Sequence, residues 1–209
     1  MRDKLSDFFN RLDPYLNKLG QNRYLQTLSG AMMALMGPLF LGSMAILLNV
    51  FPIKQVQNFV KSVGLSPILN AASTLTIGFM AIYIVFLMAK KLVQEFLGSK
   101  DDGTMAGVIA LMSFLFVTPL GTLKDGSSYL PTTWLGASGV FSAMIIGLFV
   151  GRVYVMFKQK GWTIKMPKGV PPMVSQVFES LLPAIAIGIF FICVSWGFAS
   201  TSVGSMHQF

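Results

Sequence analysis

The chain has 209 residues, 54% of them hydrophobic and only 11% charged, with a formal net charge of +8. An ordinary soluble domain carries roughly a quarter charged residues, so lipid is the expected solvent for most of this chain. Cys193 is the one cysteine, which excludes a disulfide framework or a cysteine metal set within a single chain.

In chain order, the opening segment 1–22 mixes acids and bases and lacks the continuous apolar core of a cleavable signal peptide. Leu5, Phe8, Phe9, Leu12, Tyr15, Leu16 and Leu19 recur at spacings of three and four, with Arg2, Lys4, Asp7, Arg11 and Lys18 on other faces. That pattern predicts an amphipathic helix lying on a membrane surface, bent or broken at Pro14. Apolar runs then predict five spans, about Tyr24–Val50, Ala71–Ala89, Thr104–Leu120, Thr133–Gly151 and Leu182–Ser202, the third being the shortest and weakest. Pro38 is expected to kink the first.

Lys and Arg set the direction, because basic residues in short loops stay cytoplasmic. Five precede the first span, the successive joints hold two, three, one and five, and none follows the fifth span. Alternate segments therefore sum to thirteen on one side and three on the other, which predicts the N-terminus inside. The same count explains the net charge as a topology and lipid-headgroup signal, with no nucleic-acid partner expected.

The joint 152–181 contains Lys165, Met166, Pro167, Gly169, Val170, Pro171 and Pro172. Its lysines favour the cytoplasm, its glycine and prolines a rigid turn, and Val174, Val177, Phe178, Leu181 and Leu182 a second surface helix that ends where Pro183 admits the fifth span. The fold class so read is an all-α integral membrane protein, with five transmembrane helices and two interfacial amphipathic helices on the cytoplasmic side.

Two lines of small residues bear on packing. Gly139, Ala143, Gly147 and Gly151 stand four apart in the fourth span, and Gly30, Ala34, Pro38 and Gly42 form a similar line in the first. Such stripes let helices approach closely and suggest a bundle or dimer contact, favoured over a substrate path. For chemistry the sequence offers no catalytic residue, metal set or cofactor motif. No acidic residue lies at mid-membrane depth, where one would suggest a proton-coupled carrier. Asp101 and Asp102 are expected in a solvated turn, Glu179 as a charge at headgroup level, and His207 as a tail residue.

The stretch Trp134–Ala184 carries Leu135-Gly136-Ala137, then Ile164-Lys165-Met166-Pro167, Gly169-Val170-Pro171-Pro172, and Val174, Phe178, Leu181 and Pro183. In this it resembles the membrane component IIC of the bacterial phosphotransferase system, in the lactose, cellobiose and diacetylchitobiose branch. Gln21, Arg23, Tyr24, Pro38, Gly42 and Ser43 are similar to that family's first segment. Lys168 and Glu179 depart from its pattern, which has an acid and a small residue there.

The resemblance implies that residues 1–209 form the N-terminal scaffold and dimerisation domain: a surface helix over 1–22, four transmembrane helices over 24–151, a cytoplasmic loop and interfacial helix over 152–181, and a fifth span over 182–202. It further implies a homodimer in the lipid of a bacterial cytoplasmic membrane, working with cytoplasmic IIB and IIA proteins on a disaccharide such as cellobiose, lactose or diacetylchitobiose. The sugar site belongs to the second half of the family pattern, so no substrate-binding residue is carried over. A different reading is a non-transporting scaffold or interaction protein that dimerises or pairs with a separate second half.

Overall fold

The computed structural model describes residues 20–167 and 169–200. All but the last three residues of the expected opening surface helix lie outside this range. Four apolar helical segments are long enough to cross a membrane: Arg23–Asn49, Ser66–Lys100, Ala137–Lys160 and Pro172–Ala199. Their lengths and composition suit the hydrocarbon thickness, and side chains such as Phe40, Phe141, Ile185 and Trp196 lie exposed along them.

The first two segments are each interrupted. Helix α1 (Arg23–Ala34) begins where the Asn22 side chain accepts from the Tyr24 N–H at 2.9 Å, and α2 (Met36–Asn49) follows after Leu35. Pro38 is the cause of the break, because it has no N–H to offer the carbonyl of Ala34 four residues back. Across a joint expected to be merely polar runs a short amphipathic helix, α3 (Lys54–Ser62), which buries Val60. Helix α4 (Ser66–Thr76) then leads to α5 (Met80–Leu97) through a turn at Ile77–Phe79. In place of a helical bond, the Ala81 N–H donates at 2.8 Å to the carbonyl of Leu135, from the loop before the third long segment. A backbone break in lipid is tolerated when neighbouring protein supplies such a partner.

Helix α6 (Thr104–Val117) has 14 residues, or about 21 Å at helical rise. That falls short of a hydrocarbon core of about 30 Å, and this segment of the five expected is not among those long enough to cross. Strands β1 (Gly121–Thr122) and β2 (Ser128–Tyr129) form an antiparallel hairpin. Two 3-10 turns precede α7 (Val140–Lys160), which continues nine residues beyond the Gly151 end read from the sequence.

Helix α8 (Pro172–Ala199) differs from the expectation. A surface helix ending at Pro183 was expected, whereas the structure has one unbroken helix of 28 residues with Pro183 buried inside it. A proline in a helix interior removes one hydrogen bond without ending the helix when tertiary packing holds both sides. Here the packing comes from α6, whose Met112 Cε would lie 3.4 Å from a Cβ at Gly188.

The core lies among α5, α6 and α7. Helix α5 supplies Ala81, Ile84, Val85, Met88, Ala89, Leu92 and Val93, a set at helical spacing buried against both neighbours. Ile187 and Phe191 of α8, with Ala31 and Leu35 of the first segment, complete it. Helix α4 buries none of its residues and α2 only Gly42 and Ala45, so these two form an arm beside the core.

Candidate functional site: a buried charge cluster at one end of the bundle

The loop between α5 and α6 reads Asp101-Asp102-Gly103. Gly103 takes φ +74, a left-handed conformation that suits glycine. The turn folds the Asp101 carboxylate back, and its Oδ1 accepts the Gly103 N–H at 2.9 Å. Its Oδ2 points into the bundle, where it accepts the Tyr154 hydroxyl at 3.0 Å and meets Lys158 Nζ at 3.0 Å. Tyr154 and Lys158 stand four apart on α7 and so share one face of it. Lys158 Nζ also donates to Glu179 Oε2 of α8 at 2.6 Å.

Burial makes this cluster consequential. The side chains of Asp101, Lys158 and Glu179 are 3%, 10% and 31% exposed, respectively. Taking charges out of water is costly unless each is paired and hydrogen-bonded. Lys158 faces two carboxylates, and Asp101 adds a hydroxyl and a backbone donor. The result fastens the α5–α6 loop, the end of α7 and the start of α8 at one point. Beside it Asp102 is more than half exposed and lies 3.7 Å from Lys90. The Thr104 hydroxyl and N–H, with smaller help from Lys90, hold the Asp102 carboxyl below the usual carboxylate range.

Two sequence expectations are corrected here. Asp101 is not in a solvated turn but is buried, and Glu179 lies within the long helix α8, not on a separate surface helix, and pairs with Lys158. The signal that could have found them was Tyr154 and Lys158 four apart on one face of a largely apolar helix. Their partners are 53 and 21 residues away in sequence, beyond any local pattern.

The small residues of α7 face α5 of the same chain. A Cβ on Gly147 would stand 2.7 Å from Met88 Cβ and 2.9 Å from the Val85 carbonyl oxygen, and one on Gly151 3.1 Å from the Ala89 carbonyl oxygen. Ala143 is fully buried, and Gly139 lies in the 3-10 turn before α7, in close contact with the Trp134 carbonyl. In the first segment, Gly42 faces Thr76 and Ile77, Gly30 leaves room for the Lys91 stem at 3.6 Å, and Ala34 and Pro38 line an apolar cleft with Ile82, Tyr83 and Phe86.

The motif residues separate into three places. Gly136 packs on the α4–α5 break, where a Cβ would lie 2.7 Å from the Gly78 carbonyl oxygen. Lys165, Met166, Pro167, Gly169 and Val170 form the loop before α8; Gly169 has φ +108, and Val170 N donates to the Pro167 carbonyl at 3.5 Å. Pro171 caps α8 and Pro172 opens it, while Pro183 lies inside. No three His, Cys, Asp or Glu side chains among the described residues gather as a metal site.

Comparisons with known proteins agree with this architecture. The oligo-beta-mannoside-specific EIIC component of Bacillus subtilis is 33% identical over 92% of this chain and 43% of its own. The cellobiose-specific EIIC component of Geobacillus stearothermophilus is 30% identical over 85% and 42%, respectively. The crystal structure of the transporter ChbC, the IIC component of the N,N'-diacetylchitobiose-specific phosphotransferase system, superposes with a TM-score of 0.81 at 27% identity, covering 94% of this chain and 48% of that one. This chain thus spans a little under half the length of these relatives. Residues 29–209 match the family model described as Phosphotransferase system, EIIC, and the chain belongs to that family.

Proposed function

We propose that this chain is the N-terminal scaffold of a sugar-translocating EIIC permease of the phosphotransferase system. Its substrate would be a β-linked disaccharide of the cellobiose, lactose or diacetylchitobiose kind. The chain would sit as a homodimer in the bacterial cytoplasmic membrane with its N-terminus inside, and IIB and IIA proteins would supply the phosphoryl group. The observation that carries this reading is the agreement of nearly the whole chain with ChbC. Relatives with oligo-beta-mannoside, cellobiose or lactose in their names support the sugar class. The cleft lined by Ile145, Phe149, Phe190 and Phe198 is wholly apolar. A sugar ring needs several convergent polar groups, which supports a sugar site outside that cleft.

Sugar-dependent phosphorylation by membranes containing this chain, supplied with the other system components, tests the reading. The chain alone is expected to give none, and addition of the remaining part of an EIIC protein is expected to restore it with a β-linked disaccharide. No activity after that addition would favour a non-transporting scaffold. Activity from the chain alone would overturn the division of labour.

A further inference from the structure

We propose that Arg23 and Arg152 form a binding site for a phosphate group at the basic end of the bundle. The two arginines come from the start of α1 and from α7, and both meet the Phe96 ring near the end of α5. The Arg23 guanidinium carbon is 5.0 Å from the ring centroid and that of Arg152 is 4.9 Å from it. Tyr24 packs edge-on against the same ring at 5.7 Å. The two guanidinium carbons are thus held within about 10 Å of each other, no more than a Debye length at 0.1 M salt. Two cations at that range both act on an anion placed near the ring.

Among the described residues no carboxylate lies within 4.0 Å of either guanidinium, and neither donates a hydrogen bond. Attraction to a ring leaves a guanidinium's five N–H donors available, and their planar fork matches phosphate oxygens. Lys91 runs along α1, its stem against Gly30, and has no ion-pair partner among the described residues. Glu95, next to Phe96, pairs with none of these cations. This differs from the nearby charge cluster, where Lys158 is saturated by Asp101 and Glu179. Phe96 is a fixed post shared by two cations that have no carboxylate partner among the described residues.

The phosphate could belong to a lipid headgroup or be free in solution, and the test separates the two. The full chain, purified in detergent, is offered phosphatidylglycerol, phosphatidylcholine or inorganic phosphate, and retained adducts are read by native mass spectrometry. Retention of phosphatidylglycerol over phosphatidylcholine, falling about tenfold in Arg23→Gln/Arg152→Gln, assigns the site to an anionic lipid. Retention of inorganic phosphate with the same loss assigns it to a free anion. A wild-type chain that retains neither overturns the proposal, as does a double variant, eluting like wild type, that retains as much. If the double variant does not fold, Arg152→Gln alone, at an exposed position, is read in its place; a severalfold loss supports the site and an unchanged adduct overturns it.

Discussion

Lys158 Nζ lies 3.0 Å from Asp101 Oδ2, a pair that closes the α5–α6 loop onto the last turn of α7 in a part of the molecule water hardly reaches. Removing Lys158 leaves the buried Asp101 carboxylate without a cation, whereas removing the Asp101 charge leaves Lys158 with Glu179. Lys158→Met is therefore expected to lower stability by about 3–5 kcal/mol, the range for breaking a buried pair. Asp101→Asn, which keeps an acceptor for Gly103 and Tyr154, should cost less. Thermal unfolding in detergent would measure both, and a Lys158→Met midpoint equal to wild type would refute the buried pair.

Glu179→Gln is expected to cost about 1 kcal/mol or less, because that carboxylate is about a third exposed and Lys158 keeps Asp101. In a double-mutant cycle, Glu179 and Lys158 should couple more weakly than Asp101 and Lys158. The reverse order would show that α8, and not the loop, is the main partner of Lys158.

Helix packing offers a sharper contrast. Gly147→Leu must displace α5, since even a Cβ would sit 2.7 Å from Met88 Cβ and 2.9 Å from a backbone oxygen; overpacking of this kind costs about 1–3 kcal/mol or more. Gly30→Ala meets only the Lys91 stem at 3.6 Å and should stabilise the chain by about 0.5–1 kcal/mol through reduced backbone entropy of the unfolded state. Size-exclusion profiles after graded heating would separate the two, and equal tolerance would refute the placement of α7 on α5.

Gly136→Ala tests the break between α4 and α5. The added methyl would press on the Gly78 carbonyl oxygen and shift the loop whose Leu135 carbonyl accepts from Ala81. A loss of about 1–3 kcal/mol is expected, together with faster hydrogen exchange at Ala81. Unchanged exchange there would mean that the break does not depend on this loop.

Asp102 carries a pH signature. Its folded pKa lies below the unfolded value of about 3.9, chiefly through the Thr104 hydroxyl and N–H. The stability it contributes is present above the unfolded pKa and is lost as pH falls through the folded one. Asp102→Asn should therefore be slightly less stable than wild type at pH 7, by under about 1 kcal/mol for so exposed a group, and equal to it in strong acid. A gap that persists at low pH would assign the effect to something other than this carboxylate.

Long apolar runs, the Lys and Arg asymmetry, and the small residues of α7 were legible in the sequence because each is a local or periodic property: hydrocarbon thickness sets run length, and a repeat of four sets one face of a helix. The Leu-Gly-Ala and Pro-x-Gly-Val-Pro-Pro stretches likewise carried the family resemblance. Pro38 marked the break in the first long segment, whereas tertiary structure alone decided that the second breaks at Ile77–Phe79 and that Pro183 lies within a single helix. It also decided that Asp101 and Glu179 meet Lys158 and that two arginines share Phe96. Those outcomes depend on partners far apart in the chain: Leu135 satisfies Ala81, α6 at Gly188 and Lys158 at Glu179 hold α8 on either side of Pro183, and burial turns a turn-forming aspartate into half of an ion pair. A carboxylate's environment is set by what folds onto it, which no window of sequence around Asp101 contains.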